Sequence, residues 1–552
     1  MEKQDVDHVE EVHNALIEAA KAADIYDARV QQAALEGSAD EHDLTVWNAI
    51  KTYRTALMWA LVSSTCVIME GYDTNLLQNF FAYPSFVTKY GEYVGVSSSV
   101  PTGYQLTAAW QTGLSQGSSC GSVIGCLISG YLVGRWGSRR AQLGALVALA
   151  CFIFIVFFAP SLKALVAGEV LCGIPWGILA TTAPAYASEV LPLALRVYMT
   201  SYTNMCFIIG QLISAGVLKG LSTRTDQWGY RIPFVLQWFW PLFLIPLIYL
   251  SPESPWYLVR VGKIEEAEKS LLRLQTSKSG GEDVRKTLAS IIYTNNLEQR
   301  LQVGTSYRDC FKGDELRRTE IACAVFAGQT LCGLPFAYNN SYFFSQIGLG
   351  TSTTYSLTLG GTGLALLSCI VNWFVIMPNF GRRTVYVAGM GAMFVILMLI
   401  GILNVWTERY SVGMTQACLS LVWTVIFQLS AGQLGWALPA EVGSTRLRQK
   451  TICLARDSTN IAGIVGGTLE QYFMNPQAWN LKGYTGFVWG GTCFLVFVWS
   501  YYRLPETRNR TFHELDILFA EKVPARKFAT TEVDAFDTNV IDDLTRKENH
   551  GP

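Results

Sequence analysis

Between His42 and His513 the chain has no histidine; its five imidazoles, His8, His13, His42, His513 and His550, all lie near the two ends of a 552-residue sequence. That absence removes the metalloprotease motif H-E-x-x-H and any imidazole proton carrier from the long middle of the chain. The nucleotide-phosphate loop G-x-x-x-x-G-K-[ST] is missing too, which argues against a primary pump or a membrane hydrolase. Charge is scarce: Asp, Glu, Lys and Arg make up 15% of residues, against an average of about 25% in soluble domains. The 42 basic and 43 acidic side chains nearly cancel, so there is no broad positive field for nucleic acid. Cysteines are present, 13 of them, but no C-x-x-C pair. They are scattered singly through apolar runs (Cys66, Cys126, Cys151, Cys172, Cys206, Cys369, Cys418) and read as small buried hydrophobes. No metal or other cofactor is expected. Near Met1 there is neither a short apolar core nor a small-residue cleavage site, so insertion is expected to rest on the first spanning helix, with a cytosolic N-terminus.

What the chain has in quantity is apolar sequence: 50% hydrophobic residues and a mean hydropathy of +0.25. Runs of about twenty apolar residues, enough for a helix to cross the hydrocarbon, are predicted near 54–77, 107–132, 141–159, 162–186, 196–218 and 232–250. A charged segment from Ser251 to Arg318 follows, and six more runs lie near 320–346, 354–376, 384–404, 411–437, 450–474 and 485–502. The expected fold is an all-α membrane protein of twelve transmembrane helices in two six-helix halves, joined by a short cytosolic helical segment. The corresponding division is a cytosolic N-terminal tail (1–53), a first half (54–250), a linker with amphipathic helices (251–319), a second half (320–503) and a cytosolic tail (504–552).

Basic residues in short loops set orientation. GRWGSRR (Gly134 to Arg140) follows the second span, GRR (Gly381 to Arg383) the eighth, RLRQK (Arg446 to Lys450) the tenth, and Arg503, Arg508 and Arg510 the twelfth. Both termini and the linker are therefore expected in the cytosol. Within the linker, Gly262 to Gln275 places Ile264, Ala267, Leu271, Leu272 and Leu274 on a short amphipathic helix suited to lying beneath the bundle. The tail after Pro505 is polar and is expected to be disordered beyond its first helix.

The basic turn after the second span, with its weaker echo Asn379 to Arg383 after the eighth, marks an internal duplication. It resembles the parallel repeat of the major facilitator superfamily. Other stretches resemble the sugar porter family: PESPWYL (Pro252 to Leu258) and PETRNRT (Pro505 to Thr511), and ASEVLPLALR (Ala187 to Arg196) with its counterpart PAEVGSTRLR (Pro439 to Arg448). EGYD (Glu70 to Asp73), CGIPWG (Cys172 to Gly177), GQLISAG (Gly210 to Gly216) and VPARKF (Val523 to Phe528) resemble the fungal α-glucoside, maltose-type proton symporters. The resemblance implies rocking of two halves about a central site, a sugar and protons as partners, a bilayer (by default the plasma membrane) and a functional monomer.

Several polar residues interrupt the apolar spans: Gln111, Asn204, Gln211, Gln329, Asn339, Asn340, Gln433, Trp436 and Asn460. Amides beside an aromatic platform suit a sugar's hydroxyls and weakly apolar face. By resemblance Asn204, Gln329, Trp436 and Asn460 fall where sugar porters contact cargo; the other reading is that each hydrogen-bonds a neighbouring helix. Where the family pattern near the seventh span has an Asn, this chain has Pro335. At the basic ends, Glu189 with Arg196, and Glu441 with Arg446 and Arg448, read either as loop anchors or, with Arg135, Arg139, Arg140, Arg382 and Arg383, as gate ion pairs. The acid usual in the first loop motif is replaced by Gly134.

A carboxylate in hydrocarbon costs on the order of a few kcal/mol, so Glu70 and Asp73, three residues apart in the first span, need a reason. Burial and mutual repulsion suit them to exchanging a proton near neutral pH. In the resembling symporters both acids serve proton coupling together with an arginine that falls on Arg456. A third acid of those relatives falls on Ser122, and Asp457 is expected to replace it in part. The expected function is import of an α-glucoside with protons. An uncoupled facilitator, a symporter of another sugar, polyol or small polar solute, and a non-transporting sugar sensor stand as alternatives; an enzyme does not fit.

Overall fold

The structure, a computed structural model, describes residues 28–80, 84–93, 104–221, 226–275, 281–300, 306–338, 343, 351–406, 410–474, 479 and 481–531. Each predicted span is a helical rod, and the charged ends of several continue as helix past the apolar run. The second to fifth are Ala108–Trp136, Ser138–Phe157, Leu162–Val190 and Leu193–Leu221; the ninth, eleventh and twelfth are Arg382–Leu403, Arg448–Met474 and Thr485–Arg503. Nine of the described helices are long and apolar enough to cross a membrane. The first span escapes that measure because Glu70, Asp73 and its Ser and Thr residues lower its hydropathy, the eleventh because it carries Arg448, Lys450, Arg456, Asp457 and Glu470, and the twelfth because Gly, Trp and Tyr dilute its apolar residues.

The breaks fall beside the polar residues. The first span is Arg54–Thr65 followed by Ile68–Phe80, interrupted two residues before Glu70. The sixth is Trp228–Leu236 and Phe239–Leu250, with Gln237 in the gap. The seventh is Gly313–Leu331 and Leu334–Tyr338; the tenth is Tyr410–Leu429 and Ala431–Val442. The eighth, Thr351–Val371, runs into a π-helical turn, Asn372–Ile376, a form that re-aims side chains within a helix.

Two separate cores result. Tyr72, Phe80, Leu149, Trp176 and Phe234 belong to one, built from the first six spans. Tyr386, Met390, Trp423, Phe427 and Trp489 belong to the other, built from the last six. Within the first, the first and fifth spans touch main chain to main chain. A Cβ on Gly71 would lie 2.1 Å from the Phe207 carbonyl oxygen, and one on Gly210 would lie 2.1 Å from that of Ile68. Only glycine permits such an approach.

A third core lies at the linker end. Helices Pro255–Arg260, Ile264–Leu274 and Gly281–Arg300 pack with Ala34 of helix Ala28–Asp43 and Ile517 of helix Phe512–Ala520. Ile264, Ala267, Leu271 and Leu274 are buried as expected, whereas Leu272 is 51% exposed. It lies one residue, about 100°, off the apolar stripe. A hairpin pairing Glu92–Tyr93 with Tyr104–Gln105 was not legible in the sequence. Beyond helix Phe512–Ala520, where the tail was expected to be disordered, residues 521–531 instead form a turn, Ala525–Lys527, with Phe528 buried in the second core and its carbonyl held by Arg510; residues 532–552 lie outside those described.

Candidate functional site

The first and eleventh spans bring charge to the middle of the bundle, and the second and sixth bring neutral partners. The break before Ile68 turns Glu70 towards the eleventh span, where its Oε1 accepts from Arg456 Nη2 at 2.5 Å. This ion pair joins the two halves, and the Arg456 guanidinium also lies 4.8 Å from the Trp436 ring centroid. Of the two acids that the resemblance sets with Arg456, it meets Glu70. Asp73, one helical turn on, is buried and accepts from Gln237 of the sixth span through Oδ1. Asp457 is buried with neither carboxyl oxygen hydrogen-bonded among the described residues, and it faces Cys126 of the second span. Ser122, one turn before Cys126, receives Asn460 Nδ2 at 3.0 Å. Asp457 therefore faces the second span one turn from Ser122, the position whose acid it was expected to replace in part.

The amides divide. Asn204 Nδ2 donates to Gln428 Oε1 at 2.8 Å, across the halves. Gln329 Nε2 donates to the carbonyls of Ala431 (3.0 Å) and Gly432 (2.8 Å), in the first turn of the second segment of the tenth span. Gln433 donates to the Cys369 carbonyl at 3.0 Å and leaves its Oε1 unpartnered. Trp436 is buried edge-on against Phe326. Gln211 is half-buried on the same face of the fifth span, and Gln111 is spent on the Leu106 carbonyl at 3.1 Å, away from the others. Asn339 and Asn340 lie outside the described residues. Asn204, Trp436, Arg456 and Asn460 thus gather from both halves; Gln111 does not.

At the linker end the expected pairs are exchanged for others. Glu189 accepts from Ser254 and from Arg260 Nη2 at 3.2 Å, not from Arg196. Glu441 accepts from Thr507 at 2.6 Å and lies 3.7 Å from Arg382, not beside Arg446 or Arg448. Ser254 and Thr507 belong to the paired motifs PESPWYL and PETRNRT, so the duplication extends to the hydrogen bonds. It extends further: Glu253 accepts from the backbone N–H groups of Ser138 (3.0 Å) and Arg139 (3.2 Å), and Glu506 from those of Arg382 (2.8 Å) and Arg383 (3.2 Å). Each carboxylate sits on the positive N-terminus of the helix behind the basic turn.

Arg196 pairs instead with Glu41 of the N-terminal helix at 3.3 Å. Its guanidinium lies 3.8 Å from the Phe512 ring centroid, and that of Arg448 lies 3.7 Å from the same ring. Phe512 therefore takes a cation from each half, a contact that needs no hydrogen bond. Arg260 closes the same seam, donating to the Thr445 carbonyl at 3.3 Å, while Glu298 accepts from the backbone N–H groups of Thr445 and Arg446. Arg139 and Arg383 donate to the Ser251 and Tyr501 carbonyls, Arg135 donates to Tyr131, and Arg140 is exposed. With these contacts in place the halves meet at the linker end. Sequence reading found the acids of this region but not their partners, which come from the linker and both tails.

A family model described as sugar (and other) transporter matches residues 59–519. The maltose permease MAL61 of Saccharomyces cerevisiae is 37% identical over 519 residues, covering 93% of this chain and 83% of that one. The general alpha-glucoside permease of the same yeast is 37% identical over 506 residues, 91% of this chain and 81% of that one. The proton:xylose symporter XylE of the major facilitator superfamily, solved with 6-bromo-6-deoxy-D-glucose, superposes with a TM-score of 0.73 at 20% identity, covering 84% of this chain and 99% of that one.

Proposed function

This chain belongs to the sugar transporter family, and from that premise we propose that it imports an α-glucoside, a maltose-like di- or oligosaccharide, together with protons. It is a multi-pass membrane transporter, not an enzyme. The substrate class rests on one observation, 37% identity over 93% of the chain to a maltose permease. Asn204, Gln329, Gln433, Trp436 and Asn460 are the cargo residues, with Gln211 beside them. Glu70, Asp73, Arg456 and Asp457 are the coupling residues.

The two halves rock about this centre. Contacts through Arg260, Arg196, Arg448 and Phe512 hold the linker end closed, and we place that end, with both termini, on the cytosolic side of the plasma membrane. Loss of the Glu70–Arg456 pair frees the halves in mid-bundle; protonating an acid of this cluster favours that loss. The protein works as a monomer.

A second reading, an uncoupled facilitator, draws support from Asn460, whose amide occupies Ser122 where related symporters carry an acid. Extracellular pH recorded while sugars are added to transporter-null yeast expressing the chain separates the two. Maltose-triggered alkalinisation, lost in Glu70→Gln and Asp73→Asn, supports symport. Labelled maltose uptake without proton movement overturns it.

A further inference from the structure

We propose that the coupled proton is held between Asp73 and Glu169, a carboxyl pair bridging the first and fourth spans, with Glu169 as its second ligand. This rests on the reading of the chain as a proton symporter. Glu169 lies on Leu162–Val190, seven residues after the N-terminal end of that helix, and is completely buried. Its carboxyl meets that of Asp73.

The hydrogen-bond inventory of the pair is short by one donor. Asp73 Oδ1 takes the Gln237 amide, but Asp73 Oδ2 and both Glu169 oxygens receive no donor among the described residues. Two facing carboxylates in a water-poor medium cannot both stay ionised. One proton between them supplies the missing donor and removes the repulsion.

The surroundings contain nothing that would do so instead. Tyr72, beside Asp73, spends its hydroxyl on the Pro233 carbonyl at 2.9 Å. Cys172, one turn along the fourth span, contributes a thiol. Gln237 comes from the sixth span and is neutral. Glu70, one turn back on the first span, is taken by Arg456. No basic side chain acts on either carboxyl among the described residues. The acids of one helix face are therefore divided: Glu70 is paired with Arg456 across the halves, while Asp73 and Glu169 share a proton within the first half.

The test is maltose accumulation, proton influx and maltose exchange in proteoliposomes over a range of pH, for wild type, Glu169→Gln, Glu169→Asp and Asp73→Asn. In Glu169→Gln the neighbouring negative charge is gone, so Asp73 gives up its proton more readily. The pH at which accumulation is halved is then expected to fall by about one unit, a tenfold change in proton occupancy. The ratio of accumulation to exchange falls with it. Glu169→Asp restores the wild-type profile in part, and Asp73→Asn abolishes proton influx.

A wild-type pH profile in Glu169→Gln, with proton influx intact, overturns the pair. Should that variant not fold, proton influx persisting in Asp73→Asn overturns it equally. Maltose transport without protons in the wild-type arm would instead overturn the symport reading on which the pair rests, so the two failures are distinct.

Discussion

Arg456 and Glu70, 386 residues apart in sequence, form the one described ion pair that joins the first and eleventh spans. Removing one partner strands the other charge in a buried site, at a cost of about 3–5 kcal/mol. Arg456→Gln alone should lower the melting temperature of the purified transporter sharply. The double variant with Glu70→Gln should recover most of the loss without recovering proton-driven uptake. A double variant as unstable as the single would show that the pair does not join the halves.

Phe512 should act as a clasp for the closed linker end. Phe512→Ala leaves Arg196 and Arg448 without the ring they share, a loss of about 1–2 kcal/mol per desolvated cation–π contact. The outward-facing state then becomes less populated, and KM for external maltose should rise about tenfold or more at unchanged surface expression. An unchanged KM would make the ring mere packing.

Gly134 offers the converse. A Cβ there would lie 3.6 Å from Lys450 Nζ of the eleventh span, and the helix around it has room for a short acid. Gly134→Asp should pair with Lys450, bind the halves more firmly at the cytosolic end and slow maximal uptake several-fold. Adding Lys450→Ala should restore the rate. If the single variant transports at the wild-type rate, Lys450 does not reach the new carboxylate.

Asp516 gives the tail a pH dependence. Burial, with Glu298 and Glu315 nearby, pushes its carboxyl up to about 8, against the opposing pull of Arg318. A carboxyl raised on folding holds a proton that the unfolded chain has released, so stability falls as pH rises from the ordinary value of about 4 towards 8 and levels off above it. Thermal unfolding in detergent at pH 6 and pH 8 should differ by about 2 °C. The difference should vanish in Asp516→Asn, and a flat wild-type profile would refute the assignment.

Span positions and the duplication were legible because hydropathy and the repeated basic turns are local signals. So were Glu70, Asp73 and Arg456, since charges in an apolar run stand out one at a time. Partners were not. Arg196 looked nearest to Glu189 in sequence, yet meets Glu41 and Phe512, because helix packing decides which of many nearby charges aligns. Glu169 lies seven residues into a span predicted from residue 162, where the helix does begin, but its meeting with Asp73 of another helix leaves no local signal in the sequence. The breaks at Cys66 and Ser430 also went unseen, since no proline marks them in sequence; Pro233 and Pro241, four residues to either side of Gln237, do mark the break there.

The glycine contact between the first and fifth spans has a mechanical consequence. With Gly71 and Gly210 leaving no side chain between the two backbones, these helices cannot slide past each other by half a turn and must tilt as a single lever, its pivot the bend at Cys66. Asn204 rides on that lever with Glu70 and Asp73. Displacing the acids thus displaces the amide that reaches Gln428 in the other half, and a bulky residue at either glycine would push the two backbones apart and uncouple the two movements.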